Sequence, residues 1–245
     1  MAGYQAALEK MFPTIAPNEL KALCVSEAKG GHPKAIETVL EDHAITGVKT
    51  YITAGSDAAH LLVLCKTDTI ANGRPLLKIV HLPSKAADIE ITNFDLPFMK
   101  DVKHGKVALN KTRITPTQIL EGDGYTQYTK PFRTLEDVLV GTAYQAMLLR
   151  QAIDYEWEET IRDQLLLNLY ILKNLLTLPP ADKETHLLLS THEQNFERLL
   201  PAIESNITKY SLTPFKEDWA LNKRVTTMGK KLKEVRLTKA RSIFL

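Results

Sequence analysis

The chain reads as an α+β protein, an antiparallel β-sandwich or barrel domain followed by an α-helical bundle. Three observations predict this. Between residues 20 and 118, short apolar and β-branched runs alternate with Gly, Asn and Pro turns at strand spacing. Beyond residue 153, apolar residues recur every three or four positions. The change of period falls within one stretch, Gly122 to Ile153. The layout that follows is a short N-terminal helix within 1–19, a β-domain over 20–118 and a C-terminal bundle over 119–245.

Taken in order, residues 3–12 form a short amphipathic helix with Tyr4, Leu8 and Met11 or Phe12 on one side, stopped by Pro13 and Pro17. Leu20 to Val25 is a first strand or buried connector, and Gly30, Gly31 and Pro33 make a loop after it. Thr38 to Ile45 and Val48 to Thr53 are strand-like, with Thr46-Gly47 between them read as a hairpin turn. Ala59 to Cys65, Leu76 to Leu82, Ile89 to Phe94 and Lys106 to Leu109 continue the series, with Asn72-Gly73 as a loop signal.

Gly122, Asp123 and Gly124 form a turn leading to a helix. Thr134 is placed at its N-cap with Asp137 completing an acidic capping box, and Pro131 in an extended approach. Leu135, Val138, Leu139, Thr142, Ala146, Leu149 and Ile153 form its apolar face. A second helix spans Trp157 to Leu176, and a third spans Ala181 to Tyr210, capped by Asp182 and kinked or broken at Pro201. Thr213 and Pro214 open a last helical segment. Short loops between helices imply an antiparallel bundle.

Composition excludes more than it assigns. With 31 basic and 29 acidic residues the net charge is +2, so there is no global pull toward nucleic acid or anionic lipid. Cys24 and Cys65 are too few for a disulfide scaffold and are not in CxxC spacing. No apolar run reaches the ~20 residues of a membrane span, and the N-terminus lacks signal-peptide character. A soluble, cytoplasmic protein is the expectation. The sequence contains no P-loop, GxGxxG, HExxH, GxSxG or Cys/His metal cluster. His186 and His192, six apart on a helix, point in different directions, so no metal site is assigned. The C-terminal segment is basic, with Lys223, Arg224, Lys230, Lys231, Lys233, Arg236, Lys239 and Arg241. Val225, Met228, Leu232, Val235 and Leu237 interleave with these cations as in an ordinary amphipathic helix. The segment is therefore read as a solvated face rather than a nucleic-acid surface.

Three ordered segments resemble the acyl-CoA dehydrogenases. Cys24-Val25-Ser26-Glu27-Ala28-Lys29-Gly30-Gly31-His32-Pro33 is similar to the family's C-V-T-E-P-G-A-G-S-D, with His32-Pro33 in place of Ser-Asp. Gly47-Val48-Lys49-Thr50-Tyr51-Ile52-Thr53-Ala54-Gly55 resembles G-x-K-x-W/F-I-T-N-G. Residues 115–124 followed by Leu135-Glu136-Asp137 resemble the glycine turn and the helix after it.

The resemblance implies an FAD-dependent α,β-dehydrogenation of an acyl-CoA thioester. It assigns Glu136 as base, Val25, Ser26, Tyr51 and Thr53 as flavin contacts, and His32, Lys130 and Arg133 as substrate-binding positions. Besides His32-Pro33, the chain departs from the family in three places. It carries one short helix where the family has a longer N-terminal helical domain, so it reads as a truncated member with exposed apolar surface, expected to self-associate. Residues 154–159 replace the Arg-x-x-Phe-Gly element that follows the glycine-turn helix, and a second Gly-rich flavin-contacting segment is missing near the C-terminus. The alternative function is a non-catalytic relative that uses the fold for binding. Glu136 and Asp137 also have a plain reading as acids in a helix first turn, Ser26 as a turn residue and Tyr51 as a half-buried strand aromatic.

Overall fold

The computed structural model describes residues 1–71, 73–210, 216, 217, 219, 220 and 230–242, with the side chains of 71 and 230–232 left aside. The sequence expectations at Thr213 and Pro214 lie outside these residues, as do those at Asn72, Lys223, Arg224, Val225 and Met228. Met1 and Gln5–Phe132 form one compact unit, and Ala2–Tyr4 with Arg133–Leu245 the other.

The first unit contains most of helix α1 (Ala2–Met11) and seven strands: β1 (Lys21–Cys24), β2 (Val39–Glu41), β3 (Ala44–Thr53), β4 (His60–Ala71), β5 (Arg74–Pro83), β6 (Ile89–Phe94) and β7 (His104–Arg113). They make one seven-stranded sheet in the order β1-β4-β2-β3-β7-β6, with β5 on β4. The sheet is mixed. β4 pairs with β1 and β2 in parallel, and the other pairings are antiparallel. Ala22, Cys24, Ile45, Ile52, Leu61, Val63, Cys65, Val80, Leu82, Val107 and Leu109 form its core. Cys24 and Cys65 are free and buried, and burial pushes both thiols up to about 12.

Thr46-Gly47 is not the hairpin turn. β3 continues through it, with a register shift against β7 between Ile45 and Gly47, and the chain reverses earlier at Asp42-His43, both with positive φ (48° and 56°). That is the backbone of a two-residue primed turn, which Asp and His tolerate better than most side chains. Gly47 has a different duty. A Cβ there would meet Thr38 Cα at 2.7 Å, so glycine permits a close approach between backbones.

The second unit is built from helices α2 (Lys130–Asp154, which begins in the first unit), α3 (Glu159–Leu175), α4 (Lys183–Lys209) and α5 (Lys230–Arg241). Helix α2 starts earlier than expected. A π-helical turn over Gly124–Thr129, opened by Asp123 accepting from the Thr126 amide at 2.8 Å, leads directly into it. Pro131 is helical, the second residue of α2 directly after the π-helical turn, rather than part of an extended approach. Thr134 is therefore inside the helix and caps nothing; its buried hydroxyl lies 3.2 Å from His186 Nε2.

The buried stripe of α2 also drifts from the expected one. Leu135 and Val138 lie on it, but further along Gln145, Leu148 and Ala152 are buried while Ala146 and Ile153 are exposed. Trp157 precedes α3 rather than starting it, and is buried in the core formed with Leu148, Ile161, Leu165, Phe196 and Ile203. Helix α4 is continuous through Pro201, and Asp182 occupies its N-cap position without a side-chain capping bond.

Candidate functional site

In the first unit the structure brings the loop after β1 against β3. The Thr50 amide donates to the Ser26 carbonyl at 2.8 Å. The pairing of β3 with β7 shifts register between Lys49 and Ile52, and this bulge puts Tyr51 at φ 55°. A bulky residue in the left-handed region is strained by ~1–3 kcal/mol, a cost borne only where the surroundings enforce it. The Tyr51 ring is 68% exposed and meets Phe94 edge-on at 5.5 Å. It is an exposed ring on a bulge, not a half-buried strand aromatic. Phe94 in turn lines a cavity of about 400 Å³ with Asn93, Asp95, Met99, Lys100 and Lys103.

The hydroxyls of Ser26 and Thr53 have no hydrogen-bond partner among the described residues, and Thr50 Oγ1 is buried without one. Val25 and Ser26 are half-buried. His32 stands apart from this group on its loop, exposed, its Nδ1 accepting from the Lys34 amide at 3.2 Å.

Beneath the loop lies a pair that the sequence reading did not single out. Lys49 is fully buried, and its Nζ lies 2.7 Å from Glu27 Oε1 and 3.3 Å from the Val25 carbonyl. Glu27 also accepts from the amides of Glu37 (2.6 Å) and Thr38 (3.1 Å). Burial alone would raise the Glu27 carboxyl. Lys49 and the two amides override it and hold the group below the ordinary carboxylate value. A signal was available: Lys49 shares strand phase with the buried Ile45, so a charge on that face calls for a buried partner.

In the second unit, Glu136 is half-buried on α2. Burial first, and then the Asp137 charge, push its carboxyl up to about 7, with Arg133 and Lys233 acting the other way. Asp137 is held from α5: Arg236 Nη2 lies 2.5 Å from Oδ2 and Lys233 Nζ 3.7 Å from Oδ1. Lys233 also pairs with Glu193 at 2.5 Å. In the described part of the basic C-terminal segment Lys239 and Arg241 are exposed, as a solvated basic face requires, while Lys233 and Arg236 turn toward carboxylates and Val235 is 46% exposed. The space beside these cations, lined by His186, Ser190 and Glu193, is about 10 Å³, enough for no more than a water. At the head of α2, Lys130 is exposed and Arg133 half-buried.

Among the described residues, no cluster of three or more His, Cys, Asp or Glu could hold a metal ion, and no helix is long and apolar enough to cross a membrane.

No family model and no curated protein matches the sequence. Solved structures do match the fold. A probable acyl-CoA dehydrogenase from Mycobacterium abscessus gives a TM-score of 0.69 at 14% identity, covering 98% of this chain and 74% of that one. Butyryl-CoA dehydrogenase from Megasphaera elsdenii gives 0.69 at 11%, covering 92% and 68%. An acyl-CoA dehydrogenase from Geobacillus kaustophilus gives 0.62 at 13%, covering 92% and 69%. At these identities the likeness speaks to architecture: the chain has the acyl-CoA dehydrogenase fold.

Proposed function

We propose that the protein is an acyl-CoA dehydrogenase-like flavoprotein acting on an acyl-CoA thioester. The observation that carries this reading is the Tyr51 bulge, a strained and exposed aromatic residue on a strand that carries Thr53 and is tied to the Ser26 loop through the Thr50 amide, the Ser26 and Thr53 hydroxyls having no hydrogen-bond partner among the described residues. Such a surface suits a flat heteroaromatic ligand with hydrogen-bonding edges, and FAD meets that description. Val25, Ser26, Tyr51 and Thr53 would hold the ring.

Glu136 is the base. A carboxyl pushed up to about 7 is ionised in a substantial fraction of molecules at neutral pH and is basic enough to accept a proton. It takes the α-proton of the thioester as the Cα–Cβ double bond forms. FAD held by Val25, Ser26, Tyr51 and Thr53 would supply the two-electron acceptor. Lys130 and Arg133 are the cations for the phosphates of coenzyme A, and His32 is a further substrate contact. The reading extends to self-association, since α3 exposes Leu166, Leu167 and Tyr170 at 47%, 51% and 57%.

One observation favours the alternative, a non-catalytic relative that uses the fold for binding. The segment replacing the family's Arg-x-x-Phe-Gly element contributes Trp157 to the core, so that stretch serves packing here.

Incubation with FAD followed by desalting separates the two. The flavoprotein reading expects a yellow protein whose flavin bands bleach with an acyl-CoA and persist in Glu136→Gln. Colourless protein after this treatment refutes it.

A further inference from the structure

The Glu27–Lys49 pair presents a physical puzzle. Removing two charges from water costs several kcal/mol per ion, and replacing a buried pair with uncharged residues of similar size is often neutral or stabilising. Stability therefore does not explain why the chain keeps it. Its placement does. Lys49 stands two residues before Tyr51 on β3, and Glu27 follows Ser26 directly. The Lys49 ammonium contacts both the Glu27 carboxylate and the Val25 carbonyl. The adjacent Thr50 amide holds the Ser26 carbonyl. Three bonds, from two consecutive residues of one strand to three consecutive residues of the loop, fix the loop in register with the bulge. On its far side Glu27 is anchored by the amides of Glu37 and Thr38 at the entry to β2.

We propose that Lys49 and Glu27 are positioning residues, a buried ionic clamp that holds the Val25–Ser26 loop against the Tyr51 bulge and so sets the spacing between the Ser26 hydroxyl and the Tyr51 ring. As a statement about ligand binding, this rests on the flavin reading above. As a statement about the loop, it stands alone.

The test uses the full chain, with FAD as the probe. In the double variant Lys49→Met/Glu27→Gln both charges are gone, and the introduced amide oxygen can still accept from one of the two amides, Glu37 or Thr38, that bond different oxygens of Glu27. The double variant is expected to melt close to the parent chain while binding FAD ~10-fold more weakly or worse, since misplaced contacts forfeit affinity without unfolding the scaffold. The Thr50 amide is expected to exchange with solvent ~10-fold faster by hydrogen-exchange mass spectrometry or NMR. Parental FAD affinity together with parental Thr50 protection overturns the clamp. Glu27→Asp retains both charges and guards against a double variant that fails to fold. Its shorter side chain cannot span Lys49 and the two amides, so both readouts must move in the same direction, and unchanged values again overturn the proposal. If the parent chain takes up no FAD, the flavin reading falls while the Thr50 exchange rate still decides the clamp.

Discussion

Replacing Glu136 with Gln should stabilise the protein at alkaline pH and leave it unchanged in acid. Unfolded, this carboxyl titrates near 4.5; folded, it is pushed up to about 7 by burial and Asp137. Below the lower value both states hold the proton, and the wild-type side chain resembles the amide. Between the two values the folded state retains a proton that the unfolded state has released, so wild-type stability declines as pH rises and levels off above the folded value. The shift corresponds to roughly 3 kcal/mol at ~1.4 kcal/mol per pH unit. Because Glu136 is only half-buried, solvent screening reduces the expected effect to about 2 kcal/mol. For a chain of this length that is roughly 4–8 °C in melting temperature. Calorimetric melts of both proteins at pH 3.5 and pH 8 measure it. The Gln variant should coincide with wild type at the lower pH and melt higher at the upper one. A difference of the same size at both values would refute the reasoning, because a packing effect does not titrate.

Other outcomes follow from single positions. His192 is buried on α4 and its imidazole is pushed down to about 4, first by burial and then by Lys233. Between pH 6.5 and that value the unfolded chain takes a proton that the folded one refuses, so stability is lost as pH falls. His192→Gln should flatten this loss, by up to about 3 kcal/mol, in urea melts at pH 7 and pH 4.5. Gly47→Ala should cost ~1–3 kcal/mol, because the added methyl meets Thr38 Cα at 2.7 Å; urea unfolding at neutral pH reads it, and parental stability would refute the close approach.

Much of the architecture was legible in the sequence because period and punctuation agree over long stretches. The apolar runs at Ala59 to Cys65 and Leu76 to Leu82 became β4 and β5, and the β-branched segment ending at Thr53 became β3. Where two physical rules competed, the reading slipped. Gly47 was read as part of a turn, but the fold uses it inside β3, at φ 156° and against the Thr38 backbone. Pro131 is compatible with an extended approach and with a first helical turn, and a π-helical turn that no local pattern announces decided the matter.

The candidate site was partly legible. Ser26 and the Tyr51 strand do meet, through the Thr50 amide. The charged partners of that loop and of Asp137, beside Glu136, were not. Lys49 finds Glu27 across 22 residues and Arg236 finds Asp137 across 99, and long-range pairing of this kind leaves no periodic trace.

The two thiols give the sheet a chemical reporter of its own. With Cys24 and Cys65 enclosed and their acidity suppressed, a maleimide or disulfide reagent finds no thiolate on the folded molecule. Alkylation can then proceed only through openings that expose β1 or β4, so its rate measures how often the first unit breathes, without any label added to the chain.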